Sequence, residues 1–152
     1  RSLTMGNISP HFSLSEFGLP EGKAAEYGFP PADYPAEWVE PRLRPLCAVL
    51  ETLREELGGA RITIISGYRP PAYDAERIRR GAAGVSSQSQ HGQGRAADIQ
   101  VHGVAPQVVH DTLLRLVGAK RIAIGGLGIY DTFVHVDVRP GGGLSRWDFR
   151  TK

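Results

Sequence analysis

From Phe133 to Arg139 the chain alternates strictly, with Val134, Val136 and Val138 on one side and His135, Asp137 and Arg139 on the other. Successive side chains of an extended chain point to opposite faces, so period-two alternation marks a half-buried strand. One face of this strand is wholly apolar and belongs in a core. The other presents an imidazole, a carboxylate and a guanidinium, which suits a site better than a core. The fold that accepts such a strand is a sheet covered on one side and open on the other.

The remaining pattern supplies the cover. Leu43, Leu46, Leu50, Leu53 and Leu57 form one stripe of a helix predicted over residues 40–57 and stopped by Gly58-Gly59. A short β-branched strand follows at 61–66, and a short helix ends near Arg80. Residues 81–95 read as a polar loop rich in Gly, Ser and Gln, before a strand at 96–101 and a helix at 106–117. Strands at 121–130 and 133–139 are spaced as a hairpin, and the tail from Pro140 to Lys152 is glycine-rich. Residues 1–36 form an irregular arm with one helical turn, where Ser13 precedes Glu16 as in a capping box. The 152 residues carry no repeat and no long linker. They predict one α+β domain, 1–152, with a small antiparallel β-sheet, helices packed on one side and a metal cleft on the other.

Composition narrows the function classes. The net charge of +2 comes with scattered Lys and Arg, which excludes a dedicated nucleic-acid binder. A mildly basic surface still favours approach to an anionic polymer. The single cysteine, Cys47, lies in the leucine-rich helix and reads as a small buried hydrophobe. No segment approaches the ~20 apolar residues of a membrane span, and no signal-peptide pattern is evident, so the compartment stays open. A monomer is expected.

A second polar cluster lies in Ser89-Gln90-His91-Gly92-Gln93-Gly94-Arg95-Ala96-Ala97-Asp98-Ile99. Asp98 sits between Ala97 and Ile99, where an ionised carboxylate is costly unless paired or bound to a cation. The small residues before it allow a tight turn that returns Asp98 beside His91. His91, Asp98 and His135, with a fourth position left to water, match a common catalytic zinc set. His11, His102 and His110 lack such a context and read as structural or surface residues.

Three motifs in order resemble the peptidase M15 family: Ser66-Gly67-Tyr68-Arg69-Pro70, then Ser89-Gln90-His91 with Gly94 to Ile99, then Gly125 to Tyr130 with Phe133 to Asp137. The resemblance covers nearly the whole chain. The arm around His11 to Phe17 also looks like the lead-in of one branch of the family. The family contains zinc D-Ala-D-Ala carboxypeptidases and related cell-wall endopeptidases, and is distantly related to the zinc domain of hedgehog proteins. The resemblance implies one Zn2+ held by His91, Asp98 and His135. It implies Arg69 as the group that grips a substrate carboxylate or polarises the scissile carbonyl, a task suited to a fixed guanidinium. Tyr68, Ser89 and Trp147 complete the expected substrate-binding set, with Ser89 also able to orient the loop.

The implied activity is hydrolysis of peptide bonds in peptidoglycan stem peptides or cross-links, by a D,D- or L,D-specific carboxypeptidase or endopeptidase. Peptidoglycan peptides are the expected partners, in an exported, periplasmic or phage-encoded setting. Two departures matter. Some members place a glutamate three residues before the last histidine, where this chain has Thr132. That leaves Asp137 as the expected general base and Asp131 as the other candidate, with a role for Asp137 in holding His135 or Arg139 as the competing reading. It also keeps open a zinc-retaining wall-binding module without turnover. Second, Asp74 stands where many relatives have asparagine, which alters the pocket near Arg69.

Overall fold

The computed structural model describes residues 6–83, 85–86 and 88–152; residues 1–5 of the arm and Gly84 and Ser87 of the polar loop lie outside the described residues. Five strands, β1 (Ile62–Ser66), β2 (Ala96–Val101), β3 (Gly126–Ile129), β4 (Val134–Asp137) and β5 (Ser145–Asp148), form one sheet in the order β1-β2-β4-β3-β5. Four α-helices accompany them: α1 (Glu21–Ala25), α2 (Arg44–Glu56), α3 (Pro71–Arg79) and α4 (Pro106–Gly118). Among the described residues, no helix is long and apolar enough to cross a membrane.

Alternation decides which face is covered. Ala97, Ile99 and Val101 of β2, Leu127 and Ile129 of β3, and Val134 and Val136 of β4 join the leucines of α2 and Leu113 and Leu116 of α4 in one core. The odd-even partners of these residues face the other way. Across that second face the pairing register aligns Ser66, Asp98, His135, Gly128 and Trp147 in one row, one residue from each strand. Ser66 reaches this row only because a bulge between Ile64 and Ser66 shifts the register, turning to the open face a residue that strict alternation would send to the core.

The sheet is mixed, which corrects the antiparallel expectation. β5, read from sequence as tail, pairs parallel to β3. It is a four-residue edge strand, Ser-Arg-Trp-Asp, mostly exposed, so it carries no apolar alternation to betray it. The predicted strand 121–130 is also shorter, because residues 121–125 bring the chain off α4, where Arg121 N–H bonds the Leu116 carbonyl. The leucine-striped helix begins with a π-helical turn, Val39–Leu43, before α2 proper. Pro41 and Pro45 lack N–H donors, so regular pairing settles only beyond them.

The arm is more ordered than its prolines suggest. Its expected turn is present as Leu14–Phe17, with Ser13 N–H donating to Glu16 Oε2 at 2.7 Å, and α1 was not anticipated. Tyr68 N–H donates to the Phe17 carbonyl at 2.7 Å. Gly67 lies so close to this stretch that a Cβ would come within 2.7 Å of the same oxygen.

Glycines leave the open face of β3 bare. A Cβ on Gly126 would sit 2.1 Å from Asp137 Oδ2, and one on Gly128 would sit 2.1 Å from Trp147 Nε1. The Gly-Gly-Leu-Gly run thus makes room for two large polar neighbours while Leu127 fills the core. Gly126→Ala is expected to lower unfolding free energy by about 1–3 kcal/mol through overpacking against a buried side chain. Gly22→Ala, with nothing within 4 Å of the new methyl, is the contrast and should be neutral or stabilising by up to about 1 kcal/mol. Denaturant titration of both variants checks the pair.

Candidate metal centre

Three sequence-distant segments deliver the centre. A 3-10 turn, Gln90–Gln93, carries His91, β2 carries Asp98 and β4 carries His135. The turn is clamped from several sides. Ser89 Oγ accepts from His91 N–H at 3.1 Å, and Tyr34 Oη donates to the Gly94 carbonyl at 2.6 Å. Arg42 stacks over Trp38 and donates to the Gln93 carbonyl at 2.8 Å. Gly94 adopts a φ of 69° against Tyr34 and Trp38, a position that only glycine fits.

His91, Asp98 and His135 are all buried, and one potential ligand atom from each lies within 4.8 Å of the others. Asp98 Oδ1 is 3.1 Å from His91 Nε2 and 3.1 Å from His135 Nδ1. The far nitrogens are committed elsewhere. His91 Nδ1 donates to the Gly67 carbonyl at 2.8 Å, and His135 Nε2 donates to Asp137 Oδ2 at 2.7 Å. A neutral His91 so oriented turns only a lone pair toward Asp98, and likewise His135. Acceptors 3.1 Å apart repel unless a proton or a metal ion lies between them. Ligand atoms about 2.0–2.1 Å from a tetrahedral ion stand about 3.3 Å apart, so the donor set fits a first-row divalent cation.

The three groups are strongly coupled electrostatically. Burial would raise the Asp98 carboxyl, but the two imidazoles beside it hold it far below the usual carboxylate range. Burial lowers His91 below the ordinary imidazole value despite Asp98. Burial also works against a charged His135, yet Asp137 and Asp98 on its two nitrogens hold it above that value. Asp137 is driven up by burial and held low overall by Arg139 and His135.

The centre opens into a cleft of about 480 Å³, a size suited to a peptide-sized ligand. Arg69, Ser89 and Trp147 line it as expected. Arg69 donates from Nη1 to Ser66 Oγ at 2.9 Å and from Nε to Asp74, and Nη1 stands 3.7 Å from Asp98 Oδ2. Trp147 packs its ring 5.0 Å from that of His135 and donates from Nε1 to Tyr130 Oη at 3.0 Å.

Three expected residues lie elsewhere. Tyr68 does not line the cleft: it points to the arm, where its ring meets Tyr34 and Trp38 edge-on. Asp137 is fully buried under β3, with Oδ2 accepting from His135 and Arg139 Nη2 and Oδ1 accepting from Arg139 N–H and Nε. Asp131 is exposed in the β3–β4 turn and is taken by the Thr151 N–H and hydroxyl. Among the described residues lining the cleft, Asp98 is the only carboxylate.

Other contributors were not anticipated. Tyr130, Phe133 and Phe149 add an aromatic flank and Arg77 adds charge, beside Arg139, which alternation had already placed on the His135 face. Gln90, which lines the cleft, has a buried side-chain oxygen with no hydrogen-bond partner among the described residues. The aromatic pair has a sequence signal, since Tyr130 and Phe133 flank a two-residue turn and stack at 4.3 Å. Gly67 stands in the first motif, but nothing there marks its carbonyl as the acceptor for His91 Nδ1.

Comparison with known proteins places the chain in a family. The peptidase M15 family model described as "Peptidoglycan L,D-endopeptidase MepK" matches residues 33–147. The chain is 37% identical over 86 residues to the probable peptidoglycan L,D-endopeptidase MepK of Haemophilus influenzae, covering 55% of this chain and 42% of that protein. It is 32% identical over 81 residues to the peptidoglycan L,D-endopeptidase MepK of Escherichia coli K12, covering 52% of this chain and 41% of that protein. The aligned stretch therefore spans about two fifths of the curated relatives it matches. No solved structure gives a significant match. The family model spans the arm's end, all three metal-ligand segments and Trp147, and the chain belongs to the peptidase M15 family.

Proposed function

We propose that this chain is a zinc-dependent peptidase acting on peptidoglycan peptides, and that the bond it hydrolyses is an L,D-bond of the kind named for its relatives. The observation that carries the reading is the convergence of three buried acceptor atoms, His91 Nε2, Asp98 Oδ1 and His135 Nδ1, at the floor of an open cleft. Two imidazoles and one carboxylate form a donor set that catalytic zinc uses. When bound, zinc supplies Lewis-acid polarisation of the scissile carbonyl.

The chain's own residues bind and orient. Arg69 receives a substrate carboxylate or steadies the oxygen that gains charge, and it is held for this by Ser66 and Asp74. Trp147 and Tyr130, joined by a hydrogen bond, wall the cleft beside His135. Ser89 holds the turn under His91. Asp137 fixes the tautomer and angle of His135 rather than taking a proton from the attacking water, because all its acceptor positions are engaged beneath the sheet face. Membership of a peptidase family favours turnover over the alternative of a wall-binding module.

Incubating the zinc-loaded protein with purified peptidoglycan should release peptide fragments that vanish with a chelator, and their masses name the bond. Chelator-insensitive release, or none from a zinc-replete sample, contradicts the proposal. His91→Ala and His135→Ala should each reduce release to background and lose stoichiometric zinc while remaining folded by circular dichroism. Asp137→Asn separates positioning from proton transfer. A positioning role predicts zinc affinity weakened about 10- to 100-fold, with activity recovering in excess zinc. Unchanged zinc affinity with activity lost at every zinc concentration would instead assign the proton to Asp137.

A further inference from the structure

Arg77 lines the same cleft as Arg69, and one carboxylate holds both. Asp74, the departure noted in the sequence, is almost fully buried, with 2% of its surface exposed. Arg69 Nε lies 3.0 Å from its Oδ1, and Arg77 Nη1 lies 2.9 Å from the same oxygen. Arg77 is not buried with it: 23% of its side chain is exposed. Nη2 of Arg69, and Nε and Nη2 of Arg77, have no hydrogen-bond partner among the described residues.

Two guanidiniums on one carboxylate leave one positive charge uncompensated at this end of the cleft. Asp98, the nearest other anion at 3.7 Å from Arg69, belongs to the metal donor set. An asparagine at position 74 would leave two like charges side by side with no anion between them. The aspartate therefore does more than fill a buried position: it makes a second arginine tolerable there, and it holds both forks before a ligand arrives. Donors already fixed by other contacts lose little freedom when they bind. Planar forks with free N–H groups match a carboxylate.

We propose that Arg69 and Arg77 form a two-armed carboxylate subsite, that Asp74 is its positioning residue, and that this chain prefers substrates with a free carboxylate on the residue seated beside the scissile bond. The proposal rests on the cleft being the peptide site argued above. It extends that reading by naming Arg77 as a specificity determinant and a free acid as the feature it reads.

The test uses the zinc-loaded full chain and two synthetic peptides of alternating L- and D-residues, identical except that the carboxylate beside the scissile bond is free in one and a carboxamide in the other. Binding is measured by calorimetry and cleavage by chromatography, for wild type, Arg77→Gln, Arg77→Lys and Asp74→Asn. Wild type is expected to favour the free acid roughly ten- to a hundredfold, chiefly in Kd or KM. Arg77→Gln should lose most of that preference, Arg77→Lys should keep part of it, and Asp74→Asn should weaken it. Equal binding of both peptides by wild type overturns the subsite, as does an Arg77→Gln variant that weakens both peptides by the same factor. Preferential binding without cleavage would uphold the subsite and contradict the peptidase reading. Cleavage without preference would do the reverse, and neither binding nor cleavage would contradict both.

Discussion

A carboxylate placed on an inner strand of a sheet, 3.1 Å from the lone-pair side of two imidazoles, is the constraint around which this molecule is organised. Asp98 is largely removed from water, and the desolvation of a charged group is expensive without a compensating charge. On the Oδ1 side the two imidazoles, when neutral, turn only acceptors toward it, because a backbone carbonyl and a second carboxylate fix the outer nitrogens of His91 and His135, while Arg69 Nη1 stands 3.7 Å from Oδ2. The proposed metal ion would complete the arrangement. Much else in the fold serves to keep these three groups facing one another. The bulge in β1 aims Ser66, the bare face of β3 admits Asp137 and Trp147, and the arm clamps the turn beneath His91.

Charges alternate outward from that point. Arg139 and Asp137 stand behind His135, Arg69 stands beside Asp98, and Asp74 and Arg77 follow Arg69. Each buried anion has a partner of opposite sign or an imidazole, which is how the site tolerates Asp98 and Asp137 on the open face of the sheet and Asp74 on α3. The chain of contacts also divides the labour. Asp137 and Asp74 are buried and act through other residues, while Arg69 and Arg77 remain exposed enough to meet a ligand.

The candidate metal ligands were legible because buried acids and alternating strands leave a mark in the sequence. Phe133 to Arg139 announced a two-faced strand, and the small residues before Asp98 announced a tight return. What stayed hidden depended on register and direction. Nothing in Ser-Arg-Trp-Asp marks an edge strand, and its parallel pairing with β3 exists only once the chain has crossed over from β4. Tyr68 follows the glycine of a motif that does reach the cleft, but an extended chain sends consecutive side chains apart, and Tyr68 goes to the arm while Arg69 goes to the cleft. Asp137 shares a face with His135, as alternation required. Alternation does not reveal that β3 lies over that carboxylate and closes it from the cleft.

The central claim is that one ion is held by different nitrogens of the two histidines, Nε2 of His91 and Nδ1 of His135, together with Asp98. Long-range nitrogen–proton NMR correlation of the imidazole rings, recorded before and after one equivalent of zinc, reads this directly. The account predicts metal-induced shifts at those two nitrogens, with the Gly67-bonded Nδ1 of His91 and the Asp137-bonded Nε2 of His135 remaining protonated. No shift at one equivalent, or coordination through the opposite nitrogens, would contradict it.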